Sequence, residues 1–202
     1  MKKTELNLLK NAYIVFALSV VTITGCDQKS NKEKTEDTTA ESNINSYSSI
    51  SLDNQNGQGS SYFDVEKNVT YTDANADANL AYIDIIAYDD SVQGPLLAAP
   101  SDSLINNRKA NIAGWTAKNK TFFKYTKVTP EEFDSISTEA ALLKEAGVAS
   151  DTPLETKIQI DANKVIAFQI DQSGKYGLAK IVSISGTTSN PGKIAMEVKM
   201  QK

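Results

Sequence analysis

The chain reads as an α+β domain: mostly antiparallel β-sheet, with two short helices and a C-terminal β-meander. Three observations predict this. Residues 193–202 alternate Ile194, Met196, Val198 and Met200 with Lys193, Glu197, Lys199 and Gln201, the period-two pattern of a half-buried strand. Two strand-like runs, 165–170 and 175–184, flank Asp171-Gln172-Ser173-Gly174, where Gly174 can take the positive φ of a hairpin turn. Between the strand-rich halves, Thr129-Pro130-Glu131-Glu132 combines an N-cap threonine, proline at N1 and glutamate at N3, a capping box that starts a helix.

The first segment is a leader. Lys2, Lys3 and Lys10 stand against Glu5 over residues 1–11, and residues 12–23 are apolar. This is the order of a secretory signal. A spanning helix needs about 20 apolar residues, and this run stops sooner, in Thr24-Gly25-Cys26-Asp27. Cys26 is the sole cysteine and follows Ile23-Thr24-Gly25, which resembles the lipobox of bacterial lipoproteins. The expectation is a signal peptide over 1–25 and a lipidated, palmitate-bearing Cys26. Stable anchoring takes more than one acyl chain, and the diacylglyceryl group typical of such cysteines supplies it. With that thiol consumed, no disulfide or cysteine nucleophile remains.

Residues 26–49 read as a disordered tether, polar and mixed in charge, with little to bury. A coil of this length reaches roughly 25 Å. Residues 50–202 then form one β-rich domain, a common size. Within it, residues 80–88 are apolar on both faces except for Asp84 and predict a central strand. Residues 121–126 are aromatic-rich and predict another. The capping box opens the first helix, with Phe133 and Ile136 on its apolar side. Residues 138–146 predict the second, burying Ala140, Leu142 and Leu143 and stopping at Gly147. The charged outer face of 193–202 suits a sheet edge.

Composition removes several kinds of chemistry. The chain has no histidine, which excludes Ser-His-Asp hydrolysis and histidine ligation of metal or haem. Removing residues 1–25 takes three lysines and one glutamate, so the net charge moves from −4 to −6. No basic patch points to nucleic acid. No phosphate loop or nucleophile–base pair is present, so the expectation is a protein that is not an enzyme.

Three candidate sites remain. Asp73, Asn75, Asp77 and Asn79, followed by Asp84, have the oxygen-ligand spacing of a calcium loop. Ala78 stands where that loop needs glycine, and Asp84 replaces its long bidentate glutamate. The plainer account is an Asn/Asp-rich turn, with Asp84 held by a structural partner. Trp115, Phe122, Phe123 and Tyr125 would line a groove for a planar or apolar ligand, or pack as core. Met196 and Met200 share one strand face, so they are thioether candidates for haem, or core filling.

A resemblance adds to this. Phe63-Asp64, Ile83-Asp84 with Tyr88, Leu97 to Asp102, Trp115 before Asn119-Lys120-Thr121, Phe133-Asp134, and Val165 to Phe168 with Gly174-Lys175-Tyr176-Gly177-Leu178 resemble a group of uncharacterised Bacteroidota surface lipoproteins. That group is distantly similar to HmuY-like haemophores. The resemblance covers roughly residues 60–202 and implies a β-rich fold and a surface location. It brings no binding residue, because the axial histidines of the haemophores have no counterpart. Asp90-Ser91-Val92, Asp102-Ser103-Leu104 and Asp134-Ser135-Ile136 also fit the short O-glycosylation pattern of that phylum.

The expected function is a lipid-anchored, non-catalytic binding or interaction module of the outer membrane, facing the cell surface. The alternative is a haem-capturing lipoprotein that works without histidine. Calcium and haem are the cofactor candidates. The expected partners are the membrane, through Cys26, and an outer-membrane or extracellular protein.

Overall fold

Strand alternation sorts the apolar side chains onto two faces, and both faces are covered. The computed structural model describes residues 43–53, 59–108, 110–147, 154–187 and 190–202. The leader, Cys26 and the tether up to residue 42 lie outside the described residues. In chain order the elements are β1 (Ile44–Asp53), β2 (Ser60–Asp64), β3 (Val69–Thr72), α1 (Asp73–Ala76), β4 (Ile85–Asp90), β5 (Gly94–Ala98), α2 (Ser103–Arg108) and α3 (Ala110–Ala113). They continue with β6 (Thr121–Tyr125), α4 (Pro130–Ser135), α5 (Glu139–Ala146), β7 (Lys157–Gln159), β8 (Lys164–Ile170), β9 (Tyr176–Thr187) and β10 (Asn190–Gln201).

The strands form two antiparallel sheets, ordered β1-β10-β9-β8-β6 and β3-β2-β4-β5-β7. The α+β class and the C-terminal meander β8-β9-β10 are as the sequence predicts. The sheets pack face to face through one apolar layer. Phe63, Ile85, Ala87, Leu97 and Ile158 from the second sheet meet Leu52, Phe123, Phe168, Ile181 and the Ile194-Met196-Val198-Met200 row from the first.

Each outer face is buried as well. On the first sheet, α4 and α5 bring Phe133, Ile136, Leu142 and Ala146 onto Val165, Ala167 and Leu178. On the second, α1, α2 and α3 bring Ala76, Ile105 and Ile112 onto Tyr62, Ile86 and Ala98, with Trp115 beside them. Apolar residues on both faces of β4 and β8 follow from this four-layer arrangement.

The capping box forms as predicted. Thr129 Oγ1 accepts from the Glu132 N–H, and Glu132 Oε2 accepts from the Thr129 N–H. At α5 the cap is one-sided: Thr138 Oγ1 accepts from the Ala141 N–H. Gly147 ends α5 with φ −87°, so it does not supply a left-handed cap; its N–H closes the last turn on Leu143 O. The face of α5 is narrower than expected: Leu142 and Ala146 are buried, Leu143 is half-buried and Ala140 is exposed.

Three other expectations are corrected. β1 begins at Ile44, so the last six residues of the predicted tether are strand, and Ile44, Asn45, Ser46 and Tyr47 pair with β10. β10 is not an edge strand; it lies between β1 and β9. Its charged face sits under the end of α4, where Lys199 Nζ donates to the carbonyls of Phe133, Asp134 and Ile136 at 2.8, 3.0 and 2.7 Å. Finally, the strand predicted over 80–88 starts only at Ile85. Residues 77–82 turn instead, and Asp84 stands just before the strand.

Two glycines explain the β8–β9 hairpin. Gly174 has φ +68° at the turn. Gly177 faces Phe168 across the strands, and a Cβ there would lie 2.2 Å from Phe168 Cζ. The ring lies on bare backbone and is 2% exposed, with little room to retreat. Gly177→Ala is therefore expected to destabilise the fold by about 1–3 kcal/mol, the usual cost of overpacking a core. Denaturant unfolding checks this; an unchanged midpoint would mean the ring moves freely.

Candidate binding groove

The two sheets meet at one edge, where β6 and the segment before β7 exchange hydrogen bonds. The Phe123 N–H donates to Glu155 O at 2.7 Å, and the Glu155 N–H donates to Phe123 O at 3.1 Å. In an antiparallel ladder the backbone groups of alternate residues point to opposite sides. Phe123 points away from β8, so Tyr125, two residues on, does the same. In β7, the Ile160 N–H donates to Pro95 O and Thr156 O accepts from Ala99, so residues 156, 158 and 160 turn toward β5. Lys157 and Gln159 must then present their backbone groups to the other side, toward β6.

Beyond the Phe123–Glu155 bridge the strands diverge and leave a groove of about 270 Å³. Phe123 and Ile158 form its apolar floor. Tyr125 is 50% exposed, and its hydroxyl donates to Gln159 O at 2.9 Å across the far end. Lys124, Lys157, Glu155, Gln93 and Gln159 complete the lining. Burial pushes the Lys124 ammonium below its ordinary pKa. Burial raises the Tyr125 hydroxyl, and the Asp161 and Glu155 carboxylates raise it further. These groups offer hydrogen bonds, charge and a ring face, which suits holding a ligand.

Of the aromatic residues singled out in the sequence, Phe123 and Tyr125 share this groove. Trp115 does not. It packs on the outer face of the second sheet, its ring centroid 5.6 Å from that of Tyr62, and its Nε1–H donates to Asp77 Oδ1 at 2.7 Å. Met196 and Met200 are 0% exposed between the sheets, so neither thioether is presented to a haem; they fill the core. Among the groove residues, Lys124, Lys157, Glu155, Gln93 and Gln159 carried no sequence signal beyond their polarity. The alternation Glu155-Thr156-Lys157-Ile158-Gln159-Ile160 marks the strand but not its role.

The residues with calcium-loop spacing do not converge. Asp73 accepts from the Tyr62 hydroxyl and Asp77 from Trp115. Asn75 Oδ1 accepts from the Thr72 N–H and closes the cap of α1, while Asn79 donates to Asn75 O. A one-turn helix has replaced the loop. Among the described residues no group of three or more acidic side chains is placed to hold a metal ion.

Asp84 is the buried carboxylate of this region, 4% exposed. Its Oδ2 accepts from the Val65 N–H at 3.0 Å, and its Oδ1 accepts from Asn119 Nδ2 at 3.2 Å. Asn119 in turn donates to Ala81 O and accepts from Gln172. The Thr121 hydroxyl donates to Asp84 O at 2.8 Å, joining β6 to the start of β4. Burial raises the Asp84 pKa to about 7; its two hydrogen bonds oppose this, and the Asp64 and Glu66 carboxylates add to it.

No family model matches the chain, and no curated protein matches it. Among solved structures, it is similar to a DUF4466 family protein from Parabacteroides merdae, with a TM-score of 0.53 at 13% identity over 79% of this chain. The chain spans 54% of the length of that protein. The match comes from the Bacteroidota, the phylum of the lipoproteins that the sequence resembles. At this identity it carries the fold, and nothing about haem or lipid.

Asp84 should be visible in stability. Its carboxyl binds a proton with a pKa of about 7 in the fold and near the ordinary 3.8 when unfolded. The folded state is thus favoured as pH falls from about 7 toward about 4, and the charged form opposes folding above that window. The effect is on the order of 2–4 kcal/mol. Thermal unfolding at about pH 8 and about pH 5 should show Tm rising on acidification. Asp84→Asn should flatten that rise, and an equally steep rise in the variant would show that other groups carry it.

Proposed function

We propose that this chain is a lipid-anchored, non-catalytic binding module of the bacterial outer membrane, exposed at the cell surface. The open groove between β6 and β7 carries the reading: it brings the exposed Tyr125 ring, the half-buried Lys157 and the outward edge of β7 together. The sheets beside it pack on one another and carry helices over part of their outer faces. A rigid scaffold holding a polar, ring-bearing cleft suits recognition. The groove lacks the histidine or thiol with which a catalytic pair is most often built. Methionine-liganded haem capture is not retained, since both thioethers are core.

The anchor rests on the leader and the lipobox-like Cys26. Among the described residues no helix is long and apolar enough to cross a membrane. A lipid on Cys26 would supply the membrane contact. The expected partners are the membrane and an outer-membrane or extracellular protein.

Two measurements test the reading. Radioactive palmitate fed to the producing cells should label the chain and partition it into detergent, and Cys26→Ala should abolish both. A chain that labels without Cys26, or never labels, overturns the anchor. For the groove, a photoreactive benzoylphenylalanine in place of Tyr125 should trap a discrete partner on intact cells. The same probe in place of Val182, exposed on β9, should not. Identical or absent adducts overturn the groove as the binding site.

A further inference from the structure

The make-up of the groove narrows what it holds. Phe123 and Ile158 are its apolar floor, and alternation along β6 sets Tyr125 on the same side as Phe123. The Tyr125 ring is 50% exposed, and its hydroxyl is fixed by the 2.9 Å bond to Gln159 O. The ring therefore stands as a held platform at the end of the floor. An aromatic face is weakly negative, and it attracts the slightly positive C–H groups of a saturated ring laid on it.

Around the platform stand groups that hydrogen-bond. Gln93, Glu155 and Gln159 are exposed and Lys157 is half-buried. Gln93 is positioned by its turn, because Asp90 Oδ1 accepts from the Val92 and Gln93 N–H groups at 2.9 and 3.0 Å. Gln159 reaches toward that turn: a Cβ on Gly94 would lie 4.0 Å from Gln159 Nε2. Two carboxamides, a carboxylate and an ammonium supply both donors and acceptors. Charge is mixed as well. Lys157 is positive, while the Asp161 and Glu155 carboxylates both raise the Tyr125 hydroxyl pKa. Neither an anion nor a cation meets a matching field here, and a wholly apolar ligand would strip these groups of water without replacing it. Sites for drug-sized molecules run to about 300–1,000 Å³. At about 270 Å³ the groove lies just below that range, which suits a single ring unit and is too small for a haem.

We propose that the groove binds one neutral pyranose unit of a glycan, its C–H face stacked on the Tyr125 ring and its hydroxyl groups bonded to Gln93, Glu155, Lys157 and Gln159. A pyranose has both surfaces that the groove answers: an apolar face, and a rim of hydroxyls that each donate and accept. Adjacent hydroxyls match the donor and acceptor of one carboxamide, or the two oxygens of a carboxylate. This rests on the binding-module reading above and names the class of ligand, a sugar carried by a partner protein or by a free polysaccharide. The Tyr125–Gln159 bond stays in place, because the face of the ring and not its hydroxyl meets the sugar.

The test uses the full chain carrying Cys26→Ala. Methyl glucoside, methyl galactoside and methyl mannoside are the neutral probes, and glucuronate and glucosamine the charged ones. Irradiating the aromatic protons of the protein should transfer saturation to the ring protons of at least one neutral glycoside, with a Kd of about millimolar for so small a ligand. Tyr125→Ala should weaken that glycoside about tenfold, and Tyr125→Phe, which keeps the ring, by less than about threefold. Gln93→Ala, on an exposed turn, should weaken it about fivefold, the size of one hydrogen bond. Should Tyr125→Ala misfold, Gln93→Ala and the saturation transfer on the parent chain still decide. Glycosides that give no saturable transfer, or that bind Tyr125→Ala and Gln93→Ala unchanged, overturn the inference. So does a charged probe that binds as tightly as the neutral ones, or a displayed linear peptide that fills the groove where the glycosides do not. Adducts from the probe at position 125 separate the two sources. A second protein in the adduct, lost after periodate oxidation of the cells, places the sugar on a partner; sugar alone in the adduct places it in a free polysaccharide. If the glycosides fail and that probe still traps a partner, the binding-module reading survives; if it traps nothing, both fall.

Discussion

Helices cover part of the outer face of both sheets, and that one constraint decides where the polar groups beneath them must go. A sandwich of two sheets ordinarily leaves its outer faces to water. Here α4 and α5 lie over one and α1 to α3 over the other. A polar side chain projecting outward therefore meets protein, and it needs a partner there or its burial is costly. Lys199 finds three carbonyls at the end of α4, and Lys180 sits between Asp134 and Glu197 at 2.6 and 2.9 Å. Trp115 gives its indole N–H to Asp77. Asp84 is held by a backbone N–H and Asn119, and through Asn119 it ties the turn at Val65, the loop at Ala81 and the β8–β9 turn at Gln172 into one node.

One surface the helices leave open lies beside β6, where the two sheets share a single backbone bridge. The pair of bonds between Phe123 and Glu155 pins the sheets together, and past that rung β6 follows β8 while β7 follows β5. The groove is the space between them, and the side chains that line it are those which alternation had already placed.

How much of this was legible depends on how far each signal reached along the chain. The meander was legible because Ile194, Met196, Val198 and Met200 repeat over a whole strand and Gly174 marks the turn before them. Its position in the sheet was not, because a charged face says nothing about which element will cover it. β1 was hidden by a bulge. Ser49 has φ +60°, and the register with β10 shifts between Tyr47 and Ile50, so Ile44 faces α5's layer while Ile50 and Leu52 face the other sheet. Alternation broken in the middle, in a stretch rich in serine, looks like a tether. α1 to α3 span only four to six residues each, too short for a helical period to show. At the groove, Phe123 and Tyr125 were visible as aromatic residues, but the pairing that sets them opposite β7 joins positions about thirty residues apart and has no local trace.

The topology also separates the groove from β1, the first described strand. Register carries one row across the first sheet, from Asn45 to Met200, Gly177, Phe168 and Phe123. The chain enters the domain at one end of this row, and the groove opens at the other. Four strand spacings of about 4.8 Å separate them, about 19 Å in all. The groove and the first strand therefore lie at opposite edges of one sheet, and the three central strands between them are the meander β8-β9-β10. The strand that was hardest to read in the sequence, β1, closes the sheet at the edge the groove does not use.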